Sequence, residues 1–171
     1  LTPETKIAVK KELSQQKYDL IHAETFYMMP NIPQTDVPIL LVEQTIEYLG
    51  YESFSDKLWL PFLKPFLKID IKKIREWEEH YWRSCTKLIT MSEDDKEFIN
   101  QTIQAPEKIE VVSNGVDTDW FAQKKKLLPK SPTILSVGTF NWLPNVEAVK
   151  FLVNEVWPLI KLKLPDAKLW I

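Results

Sequence analysis

The stretch Ile109–Phe121, I-E-V-V-S-N-G-V-D-T-D-W-F, with Pro132–Asn145, P-T-I-L-S-V-G-T-F-N-W-L-P-N, soon after it, decides how this chain is built. An apolar strand runs into a polar turn centred on Gly115. A lysine-rich spacer follows, and then a fresh strand, turn and helix. That order marks the exit from one α/β unit and the entry into another, and crevices between such units are common ligand sites. Upstream, Tyr18–Ala23 and Val37–Glu43 read as strands, the second a continuous apolar run of the kind a parallel sheet buries on both faces. Thr86–Met91, Lys108–Val112, Thr133–Val137 and the terminal residues Ala167–Ile171 supply further strands. Helical patterns begin at Thr2-Pro3-Glu4 and run to about Lys17, and from Pro61 to Cys85, where Pro65 either kinks the helix or marks its true start. Two more cover 93–104 and 145–163. Strands alternating with helices predict a doubly wound, Rossmann-like parallel sheet with right-handed crossovers. Residues 1–121 form a first domain, 122–131 a linker and 132–171 the start of a second.

At 171 residues the chain suits one domain or parts of two, and a fold of this size needs no disulfide or metal staple. The net charge of -2 gives no bulk attraction to nucleic acid, and none is expected as a partner. Cys85 has no second cysteine to pair with, which fits a reducing compartment. Three glycines are too few for a dinucleotide-binding fingerprint, and no phosphate-loop lysine, C-x-x-C or H-E-x-x-H pattern occurs. His22 and His80 are too few for a convincing metal site, and nucleophilic serine chemistry lacks its glycine elbow. No apolar run is long enough to span a bilayer. Both ends break off within a pattern, so the sequence reads as a fragment.

Any chemistry therefore sits at strand ends. His22 and Glu24 close the first strand, where a histidine can hydrogen-bond a sugar hydroxyl or take a proton, or simply be a satisfied, partly buried side chain. Glu43, Gln44 and Glu47 stand at the end of the second strand, charged and amide groups expected to point into the same crevice; Glu47 reads either as a crevice carboxylate or as a first-turn helix acid. Ser92, after the third strand, is first of all a helix cap. Asn114-Gly115 is a turn dipeptide able to adopt positive φ, and Gly138 leaves backbone N–H groups free for an anion. In Lys57–Lys68, K-L-W-L-P-F-L-K-P-F-L-K, lysines interleave with Trp59, Phe62 and Phe66. This is either a core helix whose lysines snorkel or a segment that lies on a membrane surface.

With these residues assembled, the sequence resembles the retaining nucleotide-sugar glycosyltransferases of family 4, which have the GT-B fold. The resemblance runs from Tyr18 to Ile171 in family order: Y-D-L-I-H-A-E, P-I-L-L-V-E-Q-T-I-E-Y, W-E-E-H-Y-W-R-S-C-T-K-L-I-T-M-S-E-D-D, V-V-S-N-G-V-D-T-D-W-F and L-S-V-G-T-F-N-W-L-P-N-V-E-A-V. It implies transfer of a sugar from a nucleotide-sugar donor to a glycan, lipid-linked or other acceptor, with retained configuration, no cofactor and no essential metal. The first domain then receives the acceptor and the second the donor. By match of position His22, Glu24 and Gln44 form the catalytic group, Glu47, Ser92, Asn114 and Gly115 bind substrate, and Gly138, Thr139 and Asn141 face the donor diphosphate. A cytoplasmic location follows, peripheral to the inner face of the membrane if 57–68 makes contact there.

Three departures stand out. Gln44 occupies the place of a histidine common in the family, and an amide cannot carry a proton. Leu143-Pro144 stands near where many relatives have phosphate-binding basic residues. The glycine-rich first loop and the two-glutamate donor motif are not in these residues. The fragment alone is accordingly expected to be inactive and, through its open sheet edges, to self-associate. The alternatives are a non-catalytic sugar- or nucleotide-binding or interaction module on the same scaffold, and a sugar-nucleotide epimerase, against which the N-G-V-D signature argues.

Overall fold

The computed structural model describes residues 3–57, 59, 61–124, 129–141 and 143–171. Thr2 of the expected first cap, Leu58 and Leu60 of the lysine-aromatic stretch, residues 125–128 of the linker and Trp142 lie outside the described residues. The chain divides into two compact units, Leu1–Val116 and Asp117–Ile171.

In the first unit, α1 (Pro3–Gln15) precedes β1 (Ile21–Glu24), and a 3-10 segment (Phe26–Asn31) leads towards β2 (Ile39–Glu43). Helices α2 (Glu47–Lys57) and α3 (Lys64–Ser84) cross to β3 (Lys87–Thr90), and α4 (Glu93–Ile103) crosses to β4 (Ile109–Val111). The strands make one parallel four-stranded sheet in chain order, β1-β2-β3-β4. Because every step goes the same way, right-handed crossovers place α2, α3 and α4 on one face of the sheet. This is the parallel Rossmann-like α/β class that the alternating strands and helices predict.

Register explains the core. Ala23 lies opposite Leu41, Leu41 opposite Leu88, and Leu88 opposite Ile109, a single row across all four strands. These residues are buried together with Tyr48 of α2, Ile71 and Trp82 of α3 and Ile99 of α4. Their neighbours along each strand point to the opposite face. There one row holds His22, Leu40 and Lys87, and the next Glu24, Val42, Ile89 and Glu110. Val42 is buried and Leu40 half-buried, while the charged residues of the same rows are exposed, so the second face is apolar only at its centre.

Several boundaries differ from expectation for identifiable reasons. Pro65 sits in the first turn of α3, where a missing N–H costs nothing, so it marks the helix start and does not kink it. The single helix expected over 145–163 is α6 (Leu143–Phe151), a π-turn (Leu152–Val156) and α7 (Trp157–Lys163). Pro158 has no N–H for the carbonyl four residues back and its ring crowds it, so the ladder widens just before. Helix α2 begins at Glu47, in keeping with its reading as a first-turn helix acid, although the rest of its sequence, with Gly50 inside, has weak helical periodicity.

In the second unit, α5 (Thr118–Ala122) is capped by Asp117, whose Oδ1 accepts from Trp120 N at 2.8 Å. Strands β5 (Thr133–Leu135) and β6 (Lys168–Trp170) pair in parallel. Leu135 and Trp170 are 68% and 63% exposed, so this small sheet leaves apolar surface open.

The register row predicts a sharp contrast in stability. Leu88→Ala opens a cavity at the centre of the core and should lower unfolding free energy by about 3 kcal/mol in urea denaturation. Phe66→Ala, on the exposed side of α3, should change it by less than about 0.5 kcal/mol.

Candidate active site

The carboxyl ends of parallel strands share one edge of a sheet, which is where α/β domains place ligands. His22 and Glu24 are two residues apart on β1 and therefore project on the same side, away from the helices. Gln44 is the first residue after β2. Its Nε2 donates to Glu24 Oε2 at 3.1 Å, and His22 Nε2 lies 3.4 Å from Glu24 Oε1. The structure thus gathers the three residues expected to be catalytic around one carboxylate. The His22 and Glu24 side chains are about half exposed. Glu24 holds the Gln44 amide by one N–H, which leaves the amide oxygen and the other N–H able to meet a hydroxyl. Only His22 and Glu24 in this group can carry a proton.

Thr25, next in the chain, has φ 64° and ψ 151°, a conformation costing a threonine on the order of 1–3 kcal/mol. Backbone bonds hold it there: Thr25 N donates to Val42 O at 2.8 Å, and its carbonyl accepts from Met28 N at 3.1 Å. The strain lies between Glu24 and the buried Phe26, where the chain turns abruptly off the sheet.

Beneath Gln44 the packing is unusual. Glu43 points the opposite way from Gln44, into the core, and its Oε1 accepts from Trp82 Nε1 at 3.2 Å. Its Oε2 is buried without a hydrogen-bond partner. Glu78 of α3, fully buried, accepts from Glu47 N at 2.8 Å and Tyr48 N at 3.1 Å. Those are the first two N–H groups of α2, which have no partner inside their own helix and sit at its positive end. Burial raises the carboxyl of Glu43 to about 8 and that of Glu78 to about 7, and each is opposed by other acids nearby. The two backbone donors favour the charge on Glu78, and the Trp82 indole does the same for Glu43, against the burial that raises both. Gln44, Thr45 and Ile46 are spanned between these two anchored points.

The other expected site residues fall as follows. Glu47 opens α2, its N–H bound by Glu78 and its own carboxyl raised by burial. Ser92 caps α4: its Oγ accepts from Asp95 N at 3.1 Å and donates to Asp95 Oδ2 at 2.7 Å, which uses its only proton. Asn114 and Gly115 are exposed in the irregular connection after β4, and neither has positive φ. In the second unit, Gly138 has a packing role: a Cβ there would come within 3.0 Å of Asn145 Nδ2. That amide donates to Thr139 O at 3.0 Å, while Asn141 is exposed. Among the described residues no group of three or more His, Cys, Asp or Glu is arranged to hold a metal ion.

Glu43, expected in the crevice beside Gln44, is instead turned into the core by the alternation of β2. Glu78 and Trp82 were not expected at the centre of this arrangement. One signal for Glu78 exists in the sequence: with Leu67, Ile71, Ile74 and Trp82 it falls on the apolar stripe of α3, where an acid must find a buried partner. Thr25 left no such signal.

Comparison with known proteins bears on residues 1–120, which match the model of Glycosyltransferase Family 4. A curated relative is the UDP-Gal:alpha-D-GlcNAc-diphosphoundecaprenol alpha-1,3-galactosyltransferase of Escherichia coli, 28% identical over 120 residues. The alignment covers 68% of this chain and 28% of that protein, so the chain spans well under half of its relative's length.

The buried carboxyls predict a pH dependence of stability. A proton held more tightly in the folded state makes stability greatest at acid pH. It is then lost as pH rises from the ordinary carboxyl range, 4.5, to the folded values of about 7 and about 8. The urea midpoint should therefore fall between roughly pH 5 and pH 8. Glu43→Gln, which keeps an acceptor for Trp82, should flatten that slope and raise the midpoint at the alkaline end. A slope unchanged in the variant would show that Glu43 is not the group that titrates.

Proposed function

The chain belongs to glycosyltransferase family 4, and on that premise we propose that it forms part of an enzyme that moves a hexose from a nucleotide-sugar to a lipid-linked acceptor with retained configuration. The observation that carries the proposal is the meeting of His22, Glu24 and Gln44 at the carboxyl edge of β1 and β2, inside the region the family model matches. The lipid-linked acceptor and the galactosyl donor are carried over from the Escherichia coli relative. In this reading, Glu24 orients the Gln44 amide towards a hydroxyl of the transferred sugar or acceptor. His22, beside the same carboxylate, relays the acceptor proton. Asn114 and Gly115 meet substrate from the exposed loop after β4, and Gly138, Thr139 and Asn141 offer backbone donors and polar side chains to the diphosphate. Stabilisation of a departing nucleotide diphosphate by preorganised donors is the main energetic demand of such a reaction. Since the chain spans 28% of its relative, the 171 residues alone are proposed to be inactive.

A second reading is favoured by Gln44 itself. A glutamine already held by Glu24 is suited to binding a hydroxyl and unable to move a proton, as in a non-catalytic sugar-binding module.

Radiolabelled sugar transfer from UDP-galactose to a diphosphoundecaprenol-linked acceptor distinguishes them, using a full-length protein that carries these residues. The enzyme reading expects transfer by wild type, with kcat reduced about 10²-fold in Glu24→Ala and KM changed little. No turnover by either wild type or Gln44→His, with nucleotide-sugar binding intact, would favour the module. Transfer by the 171 residues alone would overturn the proposed inactivity.

A further inference from the structure

Glu43 sits where the two strand ends of the candidate active site meet. It is the last residue of β2 and precedes Gln44, yet it is only 2% exposed. It also reaches the other strand end. The Phe26 N–H, at the turn where the chain leaves β1, approaches the Glu43 carboxyl, and the preceding Thr25 N donates to Val42 O at 2.8 Å. From α3, Trp82 Nε1 donates to Oε1. One carboxyl therefore joins the end of β2, the turn after β1 and α3, directly behind Glu24 and Gln44.

The same carboxyl is poorly provided for as an anion. Its Oε2 is buried with no hydrogen-bond partner, and among the described residues neither Glu43 nor Glu78 has an ion-pair partner. Glu43 faces Glu78 on α3, Glu47 at the start of α2 and Cys85 after α3, with Thr90 of β3 opposite it in register. Glu78 in turn faces Glu47, Glu79 and Tyr27. The basic groups nearby are engaged elsewhere: Lys108 with Cys85 and the Arg83 carbonyl, Arg75 with Glu79 and the Tyr48 ring. Burial first, and Glu78 second, raise the Glu43 carboxyl to about 8. Once its proton leaves, a charge stands among acids with one oxygen unsatisfied, and turning towards water relieves it. That movement breaks the Trp82 bond and loosens the chain on either side of Gln44.

We propose that Glu43 is a positioning residue of the candidate active site: protonated, it holds Glu24 and Gln44 together, and its ionisation releases them, so that sugar transfer falls off on the alkaline side. The activity readout rests on the glycosyltransferase reading, whereas the coupling of Glu43 to Gln44 stands without it. Two measurements on a full-length protein carrying these residues keep the two apart. The Gln44 side-chain amide resonances, followed by NMR from roughly pH 5 to pH 9, should show a step at about pH 8 in wild type. The step should be absent in Glu43→Gln, which is neutral and keeps an acceptor for Trp82, while whatever His22 contributes stays in both. In galactose transfer to the diphosphoundecaprenol-linked acceptor, wild-type kcat should fall about tenfold across the same step, and that of Glu43→Gln should not. Glu43→Ala should lower kcat about tenfold at neutral pH and change the KM for UDP-galactose less than about twofold. No step at Gln44 in wild type, or a step that persists in Glu43→Gln, would overturn the proposal, as would an alkaline fall in kcat shared by that variant. Absence of transfer by wild type at every pH would instead count against the glycosyltransferase reading, and the Gln44 resonances would still decide the role of Glu43.

Discussion

Glu78 holds two N–H groups of a helix that is not its own, and the arrangement of the first unit turns on that contact. A helix start leaves backbone donors without partners, and short helices usually satisfy them with a local side chain or water. Here the partner lies thirty-one residues further along, on α3, at the bottom of the core. The interaction fixes three things at once: where α2 begins, how α2 packs on α3, and the length of chain allowed between β2 and α2. Removing a buried carboxylate that accepts such bonds costs on the order of 3 kcal/mol, because the helix donors are then buried without partners. Glu43 and Trp82 extend the network from the other side, so β2 and α2 are both tied to α3.

Gln44 inherits its position from this arrangement. The residue before it is anchored through Trp82 and the residue three after it through Glu78. Alternation along β2 then sends Glu43 inward and Gln44 outward, towards Glu24 on the neighbouring strand. The strained Thr25 does the same for β1, ending the strand right after Glu24. Two strands end at the same level, each held by buried bonds, and their last polar side chains meet in solvent. A site built this way is positioned by the core, and its own exposed contacts add little to stability.

The order of strands, the helices and the three clustered residues were legible because each leaves a local trace: apolar runs, caps, and polar residues at run ends. Pro65 could be read as a start or a kink, and only the preceding 3-10 turn at Pro61–Leu63 decides for a start. What stayed hidden depends on partners distant in sequence. Helix α2 has little periodicity of its own and is held by Glu78; the Asn114-Gly115 pair has turn chemistry, yet neither residue adopts positive φ. The exposure of Trp59, Phe62 and Phe66 was not legible either, because exposure is a property of packing.

Amide hydrogen exchange at Glu47 and Tyr48 in the native protein tests the central contact most directly. First-turn amides of a helix ordinarily exchange almost freely. If Glu78 binds them in the core, both should exchange at least about a hundredfold more slowly than free amides and approach the protection of Leu88 in β3. Free exchange at Glu47 and Tyr48, with Leu88 still protected, would contradict the account.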